Sequence, residues 1–191
     1  VNVHSNGVGS SESGRTIVFR ILGPLEVIED GQPLPLGPPK QRMLLAAPLL
    51  RPNEVVSTDE LIDALWGEHP PERAAKSLQV YVWRLRKLLR REVLQTRPPG
   101  YALSVSPEDL DLHRFESLRD AARSRAPIDA AELLREALGL FRGRPLADFA
   151  YEPFAEAECA RIDELRLQAL EDRVEADLEL GRHTELVGEL E

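Results

Sequence analysis

The feature that most constrains this chain is a change of pattern at Pro107. Before it, short β-type runs, helical periods and turn signals alternate. After it, the classifiable stretches repeat their apolar residues at helical spacing. A chain of 191 residues that switches in this way is expected to be α+β, with a mixed unit followed by an all-α one. The expected division is a disordered tail at 1–16, a first unit at 17–106 and a helical unit at 107–191. The tail is rich in Gly, Ser and Asn and lacks the basic and apolar regions of a signal peptide.

Within 17–106 the order of elements is specific. IVFRILGPLEVIEDGQPLPL, residues 17–36, reads as short strands, with a break at Gly23-Pro24 and a hairpin turn at Asp30-Gly31. PPKQRMLLAAPLL, residues 38–50, reads as a helix with proline at its start, and Pro48 is expected to kink or end it. It opens with Lys40, Gln41 and Arg42, so its N-terminal N–H groups are a candidate phosphate site, or those three residues are simply solvated. In STDELIDALW, Ser57 and Glu60 have capping-box spacing, and Leu61, Leu65 and Trp66 line one face. GEHPP forces a loop, a second helix is expected from about Pro71 to Arg91, and EVLQTRPPGYALSV follows as two strands around a Pro-Pro-Gly turn. Strands, three helices and a closing hairpin are the layout of a winged helix-turn-helix.

Charge divides the chain at the same place. The formal net charge is −9, yet residues 1–106 carry +2 and residues 107–191 carry −11. Such asymmetry suggests two units with different partners, the first of them anionic. The segment SLQVYVWRLRKLLR, residues 77–90, holds four basic residues and no acid. At about 100° per residue, Leu78, Val82, Leu85 and Leu89 share one face and form a core stripe. Opposite them lie Lys76, Val80, Trp83, Arg84 and Lys87, with Arg73 and Arg91 alongside and Ser77 and Tyr81 on the flank. Val80 and Trp83 point away from the core, which a merely solvated face does not favour. Such a face suits the major groove, where Arg and Lys donate to guanine and apolar groups meet the thymine methyl. On this helix alone, a membrane surface, a partner helix or a solvated face with Trp83 packed on a neighbour stays open. The turn Arg97-Pro98-Pro99-Gly100 is either an ordinary β-turn or a wing that carries Arg97 into an adjacent minor groove.

At these spacings KQRMLLAAPLL, VVSTDELIDALWGEHPPERAAKSLQVYVWRLRKLL and TRPPGYAL resemble the OmpR-type winged-helix domain, in the version found in the actinobacterial antibiotic regulatory protein family. LDLHRFESLRDAA, ALGLFRGRPLADF and ALEDRVEADLELGRHTELVGEL are similar to that family's bacterial transcriptional activator domain, a TPR-like helical array. The resemblance covers about residues 17–191, and the activator domain is expected to be truncated here. It implies a transcription activator that binds tandem direct repeats as a dimer on double-stranded promoter DNA. It further implies recruitment of RNA polymerase through its sigma factor and alpha subunit, and control of an antibiotic gene cluster. Carried over by position, Lys76, Ser77, Val80, Tyr81 and Arg84 reach DNA. Trp83, Arg86 and Lys87 lie nearer the phosphates, Arg73 lies beside them, and Arg97 is the wing arginine. The segment Trp66, Gly67, Glu68, His69 and Pro70 matches the polymerase-contacting loop. The sequence departs from the family pattern at Trp83, at Ala102 within GYAL, at Phe141 within FRG, and at Pro48. The competing class is a helical interaction adaptor whose basic helix docks a protein partner.

Enzyme chemistry finds no footing in the residues. The histidines at 4, 69, 113 and 183 lack metal-ligand spacing, Cys159 is single, and no phosphate-loop motif occurs. Acid pairs such as Asp163-Glu164 and Glu171-Asp172 fall on long amphipathic helices and read as solvated surface. No enzyme, no cofactor, no metal and no membrane span is expected, and a reduced cytoplasmic location fits one cysteine.

Overall fold

The structure, a computed structural model, describes residues 16–89, 92–183 and 186. The expected tail at 1–16 therefore lies outside the described residues except for Thr16, as does most of the helix expected after Arg182. Among the described residues there are two three-stranded antiparallel sheets and six α-helices. The first sheet joins β1 (Ile17–Arg20), β2 (Glu26–Glu29) and β3 (Gln32–Pro33) in that order, with Asp30 and Gly31 turning the second hairpin at positive φ. Then come α1 (Pro39–Leu49), β4 (Val55–Ser57), α2 (Thr58–Trp66) and α3 (Ala74–Leu88). The second sheet has the order β4-β6-β5, where β5 is Leu94–Arg97 and β6 is Gly100–Leu103. The helical half holds α4 (Asp111–Ala122), α5 (Pro127–Gly139) and α6 (Pro153–Glu179).

Local chemistry explains most of these boundaries. Pro39 occupies the first turn of α1, where its missing N–H costs nothing, and Pro48 is followed by the end of that helix. The capping box at α2 is complete: Glu60 N–H donates to the Ser57 hydroxyl at 3.1 Å, and Ser57 N–H donates to the Glu60 carboxylate at 2.8 Å. The Ser57 N–H holds the Glu60 carboxyl below the ordinary glutamate range. α3 is shorter than its expected span of Pro71 to Arg91. Arg73 is its non-helical cap, Leu89 is already extended at φ −91° and ψ 153°, and residues 90 and 91 lie outside the described residues.

Strand β4 was not expected. Its three residues pair with β6, placing Val55 opposite Ala102, Val56 opposite Tyr101 and Ser57 opposite Gly100. The approach is so close that a Cβ on Gly100 would stand 1.9 Å from the Val56 carbonyl oxygen. Only glycine fits there.

The two halves are bonded to each other just beyond the end of β1. Asp111, at the start of α4 and 7% exposed, accepts from Ile21 N–H at 2.8 Å and from Leu22 N–H at 3.0 Å. In return, Arg142 N–H donates to the Leu22 carbonyl at 2.8 Å and Leu146 N–H to the Ile21 carbonyl at 2.9 Å. Arg42 of α1 reaches Asp148 at 2.6 Å, and Arg142 reaches Glu26 at 2.9 Å. Leu44, Leu78 and Leu85 of the first half share one buried cluster with Phe115, Leu134 and Ile162 of the second. Phe141 packs edge-on against Phe115 at 5.1 Å and lies under the Arg166 guanidinium, so it is held from both sides.

These contacts correct the alternative that Lys40, Gln41 and Arg42 are simply solvated. Lys40, Gln41 and Arg42 do not form a free basic cluster at the α1 N-terminus. Lys40 donates to the Leu65 carbonyl, Gln41 is buried and donates to the Leu36 carbonyl at 2.9 Å, and Arg42 is held by Asp148 and the Leu25 carbonyl. All three are spent on tying the fold together.

Candidate nucleic-acid interface

α3 lies on the core through Ala74, Leu78, Val82 and Leu85, with Leu89 buried just beyond its end. That stripe fixes which residues face outward. Lys76, Gln79, Val80, Trp83, Arg84 and Lys87 are exposed, and Ser77, Tyr81 and Arg86 are half-buried at the margins. Arg73 is exposed at the N-cap. Among the described residues, no ion pair engages Arg73, Lys76, Arg84, Lys87 or Arg97. An unpaired run of cations is unusual on an acidic protein, because the neutralising carboxylates are available elsewhere in the chain. Together these side chains give the outward face of α3 a positive field.

The flanks of this face are built differently. On one side Tyr81 stacks on Trp66, with ring centroids 6.5 Å apart and planes inclined by 25°. Trp66 is the last residue of α2 rather than part of a loop, whereas Gly67, Glu68, His69 and Pro70 are exposed after it. Trp66, Gly67 and Glu68 border a cleft of about 750 Å³ whose far wall is Glu152, Phe154 and Glu158 from the start of α6. Three of the polymerase-loop candidates, Trp66, Gly67 and Glu68, therefore sit where the two halves face each other.

On the other side lies the wing. Arg86 donates from Nε to the Leu94 carbonyl at 2.8 Å and from its terminal nitrogen to Thr96 Oγ1 at 2.7 Å, with its guanidinium 5.9 Å from the Tyr101 ring centroid. Arg86 thus has a structural role besides its expected place nearer the phosphates: two of its donors pin the wing to α3. Sequence reasoning missed this role, because one of the acceptors is a backbone carbonyl. Arg97 ends β5, exposed, with Nε bonded to Gln95 at 3.1 Å and the rest of its fork open. Trp83 is 56% exposed, and the Lys87 ammonium stands 3.8 Å from its ring centroid.

Comparison with known proteins places this arrangement. Residues 31–103 match the family described as transcriptional regulatory protein, C terminal, and residues 110–191 match the bacterial transcriptional activator domain. Regulatory protein DnrI of Streptomyces peucetius is 35% identical over 187 residues, which are 90% of this chain and 69% of DnrI. The chain belongs to the actinobacterial antibiotic regulatory protein family of transcription activators. Regulatory protein AfsR of Streptomyces coelicolor is 45% identical over 184 residues, 94% of this chain but 18% of AfsR. Transcriptional regulatory protein EmbR of Mycobacterium tuberculosis is 37% identical over 193 residues, 96% of this chain and 50% of EmbR. The solved structure of EmbR in complex with a low-affinity phosphopeptide superposes with a TM-score of 0.88, over 92% of this chain and 49% of that one. The chain thus spans from under a fifth to about half the length of AfsR and EmbR. Among the described residues, no helix of this family member is long and apolar enough to cross a membrane. The matching family descriptions and the relatives' names are those of transcriptional regulators.

Proposed function

We propose that the chain is the sequence-specific DNA-binding activator unit its family implies. It binds tandem direct repeats at a promoter as a dimer on DNA and recruits RNA polymerase to a secondary-metabolite gene cluster. The observation that carries this reading is the outward face of α3, an unpaired basic surface beside a wing tipped by Arg97. In this arrangement Lys76, Ser77, Val80, Tyr81 and Arg84 face base edges, while Arg73, Lys87 and Arg97 meet the backbone or the minor groove. One helix covers a small interface, so a second protomer on the adjacent repeat supplies the remaining specificity. Gly67, Glu68, His69 and Pro70, with Trp66 behind them, stand off the DNA face and are the candidate contact for the polymerase sigma factor. The alpha subunit is the further polymerase contact, and a cytoplasmic location accompanies this role.

Footprinting on the neighbouring intergenic DNA identifies the repeat. On that duplex, log K is expected to fall steeply and linearly with log salt, with a slope set by the number of phosphates contacted. Binding that is undetectable or insensitive to salt would instead support an adaptor that docks protein partners along the cleft between the halves. The division of roles has its own check. Arg84→Ala is expected to lose on the order of 1–3 kcal/mol on the footprinted duplex and little on random DNA. Lys87→Ala is expected to weaken both alike. Equal losses on the two duplexes for both variants contradict that division.

A further inference from the structure

We propose that the groove between α4, α5 and α6 is a site for a small zwitterionic ligand, whose carboxylate meets Arg119 and whose ammonium meets the carboxylates of α6. The inference concerns the helical half and stands apart from the DNA-binding reading. Five polar or charged side chains are buried among the described residues: Gln41, Asp111, Arg119, Arg173 and Asp177. Gln41 donates to the Leu36 carbonyl, Asp111 accepts from Ile21 and Leu22, and Arg173 stands 3.8 Å from Asp177. Arg119 is the exception. It is 8% exposed, its Nε is enclosed without a hydrogen-bond partner, and among the described residues no ion pair engages it. A guanidinium taken out of water without an acceptor is costly, and this one lines an open groove, where an acceptor can reach it from outside.

The groove holds about 520 Å³, a size typical of small-molecule sites. Its two sides carry opposite charge. Arg119, Arg123 and Arg125 come from the end of α4 and the turn after it, beside the start of α5, whose dipole adds to the positive side. Facing them, α6 presents Asp172, Glu175 and Glu179 at successive turns, with Glu171 alongside. Among the described residues no ion pair crosses the gap, and Arg123 pairs instead with Asp120 of its own helix. Between the charged sides lie Ala122, Leu134 and Ala176, all buried. A cationic seat, an apolar floor and an anionic seat together complement a carboxylate and an amine joined by methylenes. A carboxylate matches the guanidinium fork, whereas the second charge of a phosphate would be opposed by the acidic side. The other end suits an ammonium better than a metal ion. Among the described residues no three His, Cys, Asp or Glu side chains gather as a metal site, and an ammonium can donate to more widely spaced oxygens.

The test follows the thermal midpoint of the whole chain at constant ionic strength. The probes are ω-amino acids from γ-aminobutyrate to ε-aminocaproate, with butyrate, caproate and butylamine as singly charged controls. At least one of the ω-amino acids is expected to raise the midpoint progressively with concentration, and by more than any control does. Arg119→Met keeps the apolar stem and removes the buried charge. Its own midpoint is expected to equal or exceed the parent's, while its affinity for the zwitterion falls on the order of tenfold or more. Asp172→Asn combined with Glu175→Gln is expected to bring the zwitterion down to the level of the matching carboxylate. The site is overturned by no response to any ω-amino acid, or by equal responses to zwitterion and matching carboxylate in the unsubstituted protein. An undiminished response in Arg119→Met overturns it as well. So does an Arg119→Met midpoint well below the parent's, which would show that the fold itself holds the guanidinium. None of these results bears on the DNA-binding reading, which is decided on duplexes.

Discussion

Gly100→Ala is expected to collapse the wing. The added Cβ would lie 1.9 Å from the Val56 carbonyl oxygen and 2.7 Å from the Ser57 Cα, both backbone atoms that no rotamer change can move aside. Relief requires β4 to separate from β6, which breaks the Val55–Ala102, Val56–Tyr101 and Ser57–Gly100 register. Overpacking against backbone of this severity is expected to cost about 3 kcal/mol or more. The loss should appear as a lower urea midpoint and, in the surviving folded fraction, as a weaker grip on any duplex, since Arg97 pairs directly with Gly100 at the wing tip. An unchanged midpoint would mean that β4 is not held against the wing as the register requires.

Asp111→Ala should be comparably damaging through a different mechanism. One carboxylate oxygen accepts from Ile21 N–H, and the other accepts from Leu22 N–H, all in a site that excludes water. Burial pushes the Asp111 carboxyl above the ordinary aspartate range, while those N–H groups and the Arg142 guanidinium pull it back. Removing it leaves two buried donors without their acceptor, while Arg142 keeps Glu26, and the loss is expected at about 1–3 kcal/mol for each orphaned donor. Asp111→Asn should recover only part of this, because its amide offers one acceptor oxygen where the carboxylate offers two. Urea denaturation decides the matter, and a midpoint for Asp111→Ala equal to the parent's would remove the residue from its role between the halves.

What could be read from the amino-acid order follows physical range. Ser57 and Glu60 are three residues apart, so the capping box was visible without knowledge of the fold. Leu78, Val82, Leu85 and Leu89 repeat with the helical period, so the buried face of α3, and therefore its exposed face, was visible too. Strand β4 was not, because three residues show no periodicity and exist as a strand only through β6. The bond from Asp111 to Ile21 spans ninety positions and ends on a backbone N–H, which no side-chain pattern announces. Lys40, Gln41 and Arg42 misled for the same reason: three of their acceptors are backbone carbonyls, of Leu65, Leu36 and Leu25, and carbonyls look alike at every residue. Arg86 was assigned to DNA by its position in a motif, and its commitment to Leu94 and Thr96 became visible only when the wing was in place.

The hydrogen bonds that run both ways between Ile21 or Leu22 and Asp111, Arg142 or Leu146 have a consequence for promoter architecture. With a slack tether, the helical half could approach the transcription machinery from any side of the duplex. Fastened just beyond the end of β1, it would point, on the proposed DNA-bound reading, in a direction set by how α3 lies on the duplex. B-DNA turns once in roughly 10 base pairs. An operator displaced by half a turn would therefore aim the helical half at the opposite face of the duplex, and helical phasing rather than distance alone would govern which sites this family member can use.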